Sequence, residues 1–93
     1  MSSTPYEEHT LVENIFIRKF SIDIDPNELT WHWDEEARTF EVISGEGWLF
    51  QKDNQLPFHL LKGNSVNINK NEYHRIINDN AKRELIIRLT KHK

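Results

Sequence analysis

The sequence predicts an all-β domain, a sandwich or barrel of short antiparallel strands without a major helix. Three observations carry that expectation. Apolar and polar residues alternate with a period of two through much of the chain, as in Ser65-Val66-Asn67-Ile68-Asn69, which is the pattern of a strand with one buried face. Clusters of Asn, Asp, Gly and Pro interrupt the alternation roughly every eight to twelve residues, the spacing of strands joined by turns. No stretch keeps the apolar spacing of an amphipathic helix.

The elements follow in order. Residues 1–11 are polar and are expected to form a flexible or loosely attached segment. From Val12 to Ile24 the pattern is β, with Ile15, Ile17, Phe20, Ile22 and Ile24 as its apolar members. Its phase slips near Lys19, which predicts a bulge or a junction between two strands. Asp25-Pro26-Asn27 has turn chemistry, and Glu28 to Trp33 reads as the next strand. After a charged turn at Asp34-Glu35-Glu36-Ala37, Arg38 to Ile43 extends again. Ser44-Gly45-Glu46-Gly47 predicts a tight hairpin that returns Trp48-Leu49-Phe50-Gln51 as a partner strand.

Beyond it lie Leu56–Leu61, with Pro57 near the start where a missing donor is tolerated, then Ser65–Asn69 and His74–Asn78. Asp79-Asn80 is a further turn before the last strand, Arg83 to Thr90. The total is about eight or nine strands in one domain spanning residues 1–93. An all-β chain of this size has edges to hide. Closure into a barrel or pairing with a second copy hides them, and a homodimer is expected.

Composition narrows the function. A net charge of −3 gives no electrostatic reason to expect nucleic acid or an anionic membrane. Apolar residues at 37% and charged residues at 29% are those of an ordinary globule. The absence of cysteine rules out a disulfide framework and a thiolate metal site. The N-terminal residues lack a basic start followed by an apolar run. No apolar stretch approaches the roughly 20 residues that cross a bilayer. A cytoplasmic location is expected.

The chemistry gathers at Trp31-His32-Trp33-Asp34. In a strand, alternate side chains share a face, so His32 and Asp34 point one way and the indoles the other. An imidazole and a carboxylate are two members of the two-His-one-carboxylate triad of non-haem iron sites. Further on, Gly63, Asn69, Asn71, His74 and Asn78 are spaced G-x5-N-x-N-x2-H-x3-N. This resembles the second cupin motif, G-x5-P-x-G-x2-H-x3-N. Asn stands at its Pro and at its second Gly, and Asn tolerates the left-handed backbone that such a turn needs.

The first cupin motif, G-x5-H-x-H-x3,4-E-x6-G, then falls on His32, Asp34, Arg38 and Gly45, with Asp34 at the second His and Arg38 at the Glu. The resemblance covers most of the chain, roughly Ile22 to Leu89. It implies a double-stranded β-helix, or jelly-roll barrel, often dimeric, with any site in its mouth. It also implies a divalent transition metal such as Fe, Mn, Ni or Zn.

Arg38 has no lone pair to give a metal. The metal set is then His32, Asp34 and His74, suited to iron(II) or manganese(II). Arg38 can instead hold a ligand carboxylate or phosphate by a bidentate fork. At 5 Å and an effective dielectric of about 20, an arginine and a divalent ion repel by roughly 6–7 kcal/mol. Asp34 offsets that only by bridging both cations. In the competing reading Asp34 and Arg38 neutralise each other, and the pocket holds no metal.

Trp48 and Gln51 are further candidates for the pocket wall beside Arg38, His32 and His74. Trp31, Trp33 and Trp48 otherwise read as core or dimer-interface aromatics, and Phe40 and Phe50 as core. Three functions stay open. One is a cupin that binds a small anionic ligand in the barrel pocket without a firmly established metal. The second is a metal-dependent oxygenase or isomerase using the His32/Asp34/His74 triad. The third is a dimeric structural or interaction module.

Overall fold

The computed structural model of the chain describes residues 5–92. Six strands form, β1 (Glu7–Val12), β2 (Ile15–Phe20), β3 (Ala37–Lys52), β4 (Phe58–His59), β5 (Ser65–Ile68) and β6 (His74–His92). Their pairings are all antiparallel. They run in the order β1-β2-β6-β3-β4, with β5 also on β3. The one helical element among the described residues is a 3-10 turn at Pro26–Glu28, capped by Asp25 Oδ1, which accepts from Asn27 N. Among the described residues no helix is long and apolar enough to cross a membrane.

Six strands replace the eight or nine expected because β3 and β6 are long, 16 and 19 residues, and each absorbs two predicted strands. The glycine segment Ser44–Gly47 does turn the chain, but not as a hairpin. Its residues stay on the ladder with β6 while the register shifts between Val42 and Ser44, Ser44 and Glu46, and Glu46 and Trp48. Phe40 and Phe50 lie on this one strand, and a straight strand would separate them by roughly 33 Å. Their ring centroids are 5.2 Å apart, so β3 folds over on itself at the glycines.

The partner strand bends to match. The two steps from Glu46 to Trp48 on β3 face five on β6, from Arg83 to Asn78. The predicted Asp79-Asn80 turn is that excursion: Asn80 is left-handed with φ 58°, and Asn78 Oδ1 accepts from Ala81 N.

Folding the ladder double makes a barrel whose two walls share one core. Phe20, Phe40, Val42, Phe50, Leu60, Ile68, Leu85, Ile87 and Leu89 fill it, and Trp48 is fully buried among them with Nε1 donating to Arg83 O at 2.9 Å. At roughly 1.5–3 kcal/mol for each large side chain removed from water, this packing is the main favourable contribution to the fold.

Two local expectations change. Residues 7–12 are not loose: they form the edge strand β1, paired with β2 from Glu7↔Lys19 to Val12↔Ile15. Of the predicted N-terminal segment, residues 1–4 lie outside the described residues. The strand expected over Glu28–Trp33 reduces to the 3-10 turn and a single bridge, His32↔His74. Pro26 fixes its own φ and supplies no N–H. The chain after it instead closes Glu28 N→Asp25 O and Leu29 N→Pro26 O, bonds internal to the turn.

The glycines at the corner and in the loop are predicted to differ in tolerance. A Cβ on Gly47 (φ 88°) would lie 2.6 Å from Ala81 Cα, whereas one on Gly63 (φ 88°) would meet nothing within 4 Å. Gly63→Ala therefore costs only the left-handed backbone, about 1–2 kcal/mol. Gly47→Ala adds a backbone clash and costs at least about 2 kcal/mol more. Urea unfolding of the two variants beside the parent checks the ranking. Equal losses would contradict the corner described here.

Candidate metal centre

The two motifs are tied together by backbone before any side chain is considered. His32 N donates to His74 O at 3.0 Å and His74 N to His32 O at 2.9 Å. This is the hydrogen-bonded pair of an antiparallel ladder, so both side chains leave on the same face. Asn71, left-handed at φ 62°, places its N–H 2.7 Å from Asp34 O. The Asn that replaces glycine in the second motif thus anchors the acidic residue of the first. The imidazole centroids stand 4.2 Å apart at 68°. His74 is buried and stacks on Phe50 at 5.7 Å, while His32 is exposed.

Each imidazole has its hydrogen placed by a carbonyl two residues earlier. His32 Nδ1 is 3.3 Å from Thr30 O, and His74 Nδ1 is 2.7 Å from Glu72 O. A carbonyl only accepts, so each Nδ1 carries the hydrogen and each neutral ring presents an Nε2 lone pair. Asp34 Oδ2 lies 3.4 Å from His74 Nε2, and it is buried with no hydrogen-bond partner among the described residues. One ligand atom from each of His32, Asp34 and His74 lies within 4.8 Å of the others. Facing lone pairs repel unless a cation or a proton sits between them. Burial disfavours the proton, pushing the His74 pKa below its ordinary value, with the neighbouring His32 and Arg38 lowering it further against the Glu72 carbonyl and Asp34. The donor set fits a divalent ion.

Arg38 lies at the N-terminal end of β3 and meets two carboxylates. Its Nη2 is 2.6 Å from Glu36 Oε1 and 3.2 Å from Asp34 Oδ1. The guanidinium holds the Glu36 carboxyl below its usual range, chiefly through that hydrogen bond. Arg38, Asp34 and Glu36 together carry one net negative charge. Asp34 therefore bridges, giving Oδ1 to Arg38 and keeping Oδ2 for the histidines, which is the arrangement that offsets repulsion between an arginine and a metal. The sequence predicts only a charged turn at Glu36. The signal was its Glu-x-Arg spacing, which puts both side chains on one face of an extended chain.

These groups line a cavity of about 470 Å³ inside the barrel. His32, Asp34, Arg38 and His74 are on its wall, among Phe20, Phe40, Phe50, Ile68, Ile76, Ile87 and Leu89. Trp48 and Gln51 are not. Trp48 points inward as Phe50 does, yet it is spent in the core against Arg83 O. Gln51 points the other way, its amide donating to Gln55 O and accepting from Arg75 Nε. Trp31 and Trp33 are on the outer surface, not in the core, and the Arg75 guanidinium covers the Trp31 ring at 4.8 Å.

Four charged residues of the wall escaped the sequence reading: Glu8, Arg18, Glu28 and Lys91. Arg18 is buried, on the same face of β2 as Phe20. Ile15 and Ile17, apolar members of the predicted strand, alternate with Arg18 and are only half-buried.

A doubled antiparallel sheet closed around a His-Asp-His cluster is a cupin-like barrel. Solved structures share that fold at low identity. A cupin domain from Bordetella pertussis superposes with a TM-score of 0.64 and 13% identity, over 100% of this chain and 99% of that one. A DMSP lyase structure gives a TM-score of 0.71 and 16% identity over 85% of this chain. Iron(II) HppE gives 0.69 and 11% over 84%. The chain spans only 37% and 41% of the length of those last two proteins. No protein-family model and no curated protein matches the sequence.

The lowered His74 pKa sets a pH dependence. As pH falls below about 6.5, the unfolded chain takes up a proton at His74 that the folded protein resists. The stability tied to neutral His74 is therefore complete above that pH and is lost as pH falls towards the folded value. Metal-free protein should lose stability to urea between pH 7.5 and 5.5, with His74 contributing at most about 1.4 kcal/mol per pH unit. His74→Gln should flatten that slope; a variant with the parent's slope would assign the effect elsewhere.

Proposed function

We propose that this chain is a metal-dependent cupin that binds a small acidic molecule in its cavity. His32, Asp34 and His74 hold a divalent first-row ion, with iron(II) or manganese(II) the best match for two imidazoles and one carboxylate. The observation that carries this reading is the grouping of one ligand atom each from His32, Asp34 and His74 within 4.8 Å, with the unpartnered Asp34 Oδ2 3.4 Å from His74 Nε2. That iron(II) HppE shares the fold is consistent with a metal in such a barrel. When bound, the ion supplies Lewis-acid polarisation of a ligand oxygen or of water.

The chain's own residues do the rest. The Glu72 carbonyl and the Phe50 face fix the His74 ring, as partners of metal-bound histidines do. Glu36 shares the load on Arg38, so that Asp34 keeps one oxygen free. Arg38 Nε is buried and has no hydrogen-bond partner among the described residues, which leaves a donor for an acidic ligand beside the centre. The apolar wall, from Phe40 to Ile76, lowers the local dielectric and strengthens each of these interactions.

Elemental analysis of protein expressed in iron- and manganese-supplemented medium is the direct test, with one ion per chain expected. His74→Ala and Asp34→Ala should each weaken metal affinity by at least about 100-fold, beyond what loss of a supporting partner costs. A parent with no stoichiometric metal would sink the proposal. Glu36→Gln probes the charge arrangement alone: Arg38 then draws on Asp34 unshared, and metal affinity should fall by about 3- to 10-fold with the fold unchanged. Unaltered affinity in that variant would remove Glu36 from the account.

A further inference from the structure

The cavity wall contains a second guanidinium that the metal centre does not use. Arg18 is only 9% exposed. Its Nε donates to Glu8 Oε2 at 2.5 Å, and its plane lies over the Tyr6 ring with 4.2 Å to the centroid. A guanidinium carries five N–H donors. Glu8 engages Nε, and Arg18 lines the cavity, so the remaining N–H groups are available to what occupies it. Glu8 and Tyr6 meet one side of this charge, and its open side faces the cavity.

The position of Arg18 indicates what would complete it. On the ladder Arg18 pairs with Ile87, which pairs with Val42, whereas Arg38 pairs with Lys91. The two arginines are thus two strands and four residues apart, roughly 16 Å between Cα atoms along the sheet. Two inward side chains narrow that gap to the length of a short molecule. The wall between them is apolar, with Phe20, Phe40 and Ile87. A monoacid with a hydrocarbon tail would satisfy the metal end and leave the Arg18 donors against that tail.

We propose that the cavity selects a diacid. One acidic group lies at the metal centre beside Arg38, and the second, a carboxylate or a phosphate, is held by the Nη groups of Arg18. Arg18 is then the residue that sets specificity. This rests on the cavity being the ligand site, and it identifies the class of ligand.

Calorimetric titration of manganese-loaded protein with glutarate, phosphoglycolate and butyrate tests it. At least one diacid should bind about tenfold tighter than butyrate or better, the worth of one charge-assisted fork. The tighter of the two identifies a carboxylate or a phosphate on Arg18. Arg18→Gln should bring diacid affinity down to that of butyrate, leaving butyrate affinity and manganese content unchanged.

Equal binding of all three acids by the parent, or no binding of any, overturns the inference. So does an Arg18→Gln variant that loses butyrate and diacids alike. Should that variant fail to fold, Glu8→Ala replaces it: freeing the Arg18 Nε must raise the preference for diacids, and an unchanged preference refutes the role. Manganese content reports on the metal centre separately. A parent that takes no manganese yet prefers diacids through Arg18 keeps this inference and loses the metal one.

Discussion

The ladder between β3 and β6 is the constraint on which the rest of the structure depends. It runs from Ala37↔His92 to Lys52↔His74, nearly the whole of both strands. A ladder of that length cannot stay flat in a small domain, because a flat one would expose both faces of its apolar residues. It doubles over at Gly45, Gly47 and Asn80, where the backbone has positive φ and a side chain would meet strain or a neighbouring backbone. That fold-over brings Phe40 onto Phe50 and closes the core. It also brings the start of β3, with Arg38, and the start of β6, with His74, to one cavity. Architecture and site come from the same bend.

Much of this was legible in the sequence, and the failures share a cause. The all-β class followed from alternation and turn spacing, and the motif spacings supplied the cupin resemblance that the doubled sheet matches. His32, Asp34 and His74 converge as a shared face of extended chain requires, even though His32 sits in one bridge and not in a strand. Residues such as Ser44-Gly45-Glu46-Gly47 and Asp79-Asn80 signal that a chain changes direction. They do not say whether its hydrogen bonds are handed to a new partner, as in a hairpin, or kept through a bulged corner. The corner won because both strands carry permissive residues at facing positions.

Parity has a second blind spot, which is depth. It puts Trp48 and Phe50 on the same inward face but cannot tell core from cavity; Trp48 is sealed in the core, and Phe50 reaches the cavity. It also gives no reason to turn a cation inward. Arg18 was invisible for that reason. Its burial is tolerated because Glu8 and Tyr6 arrive from the N-terminal segment to meet it. Pro5, Tyr6 and Glu8 line the cavity, so the segment taken as loose supplies part of its wall.

The charges around the centre are ordered so that each carboxylate oxygen has one task. A lone Asp34 facing Arg38 would have given both oxygens to the guanidinium fork, since bidentate pairing is the favoured geometry. Glu36 prevents this by taking the shorter contact, 2.6 Å against 3.2 Å for Asp34 Oδ1. Asp34 is left with Oδ2 turned towards His74, whose proton is held on the far nitrogen by the Glu72 carbonyl. Burial makes recruitment of a second proton there unfavourable. Each of these steps removes a way for the cluster to satisfy itself. Arginine at the motif's glutamate position therefore leaves the donor atoms of His32, Asp34 and His74 together. With Glu36 beside it, Arg38 is the group that orients the Asp34 carboxylate.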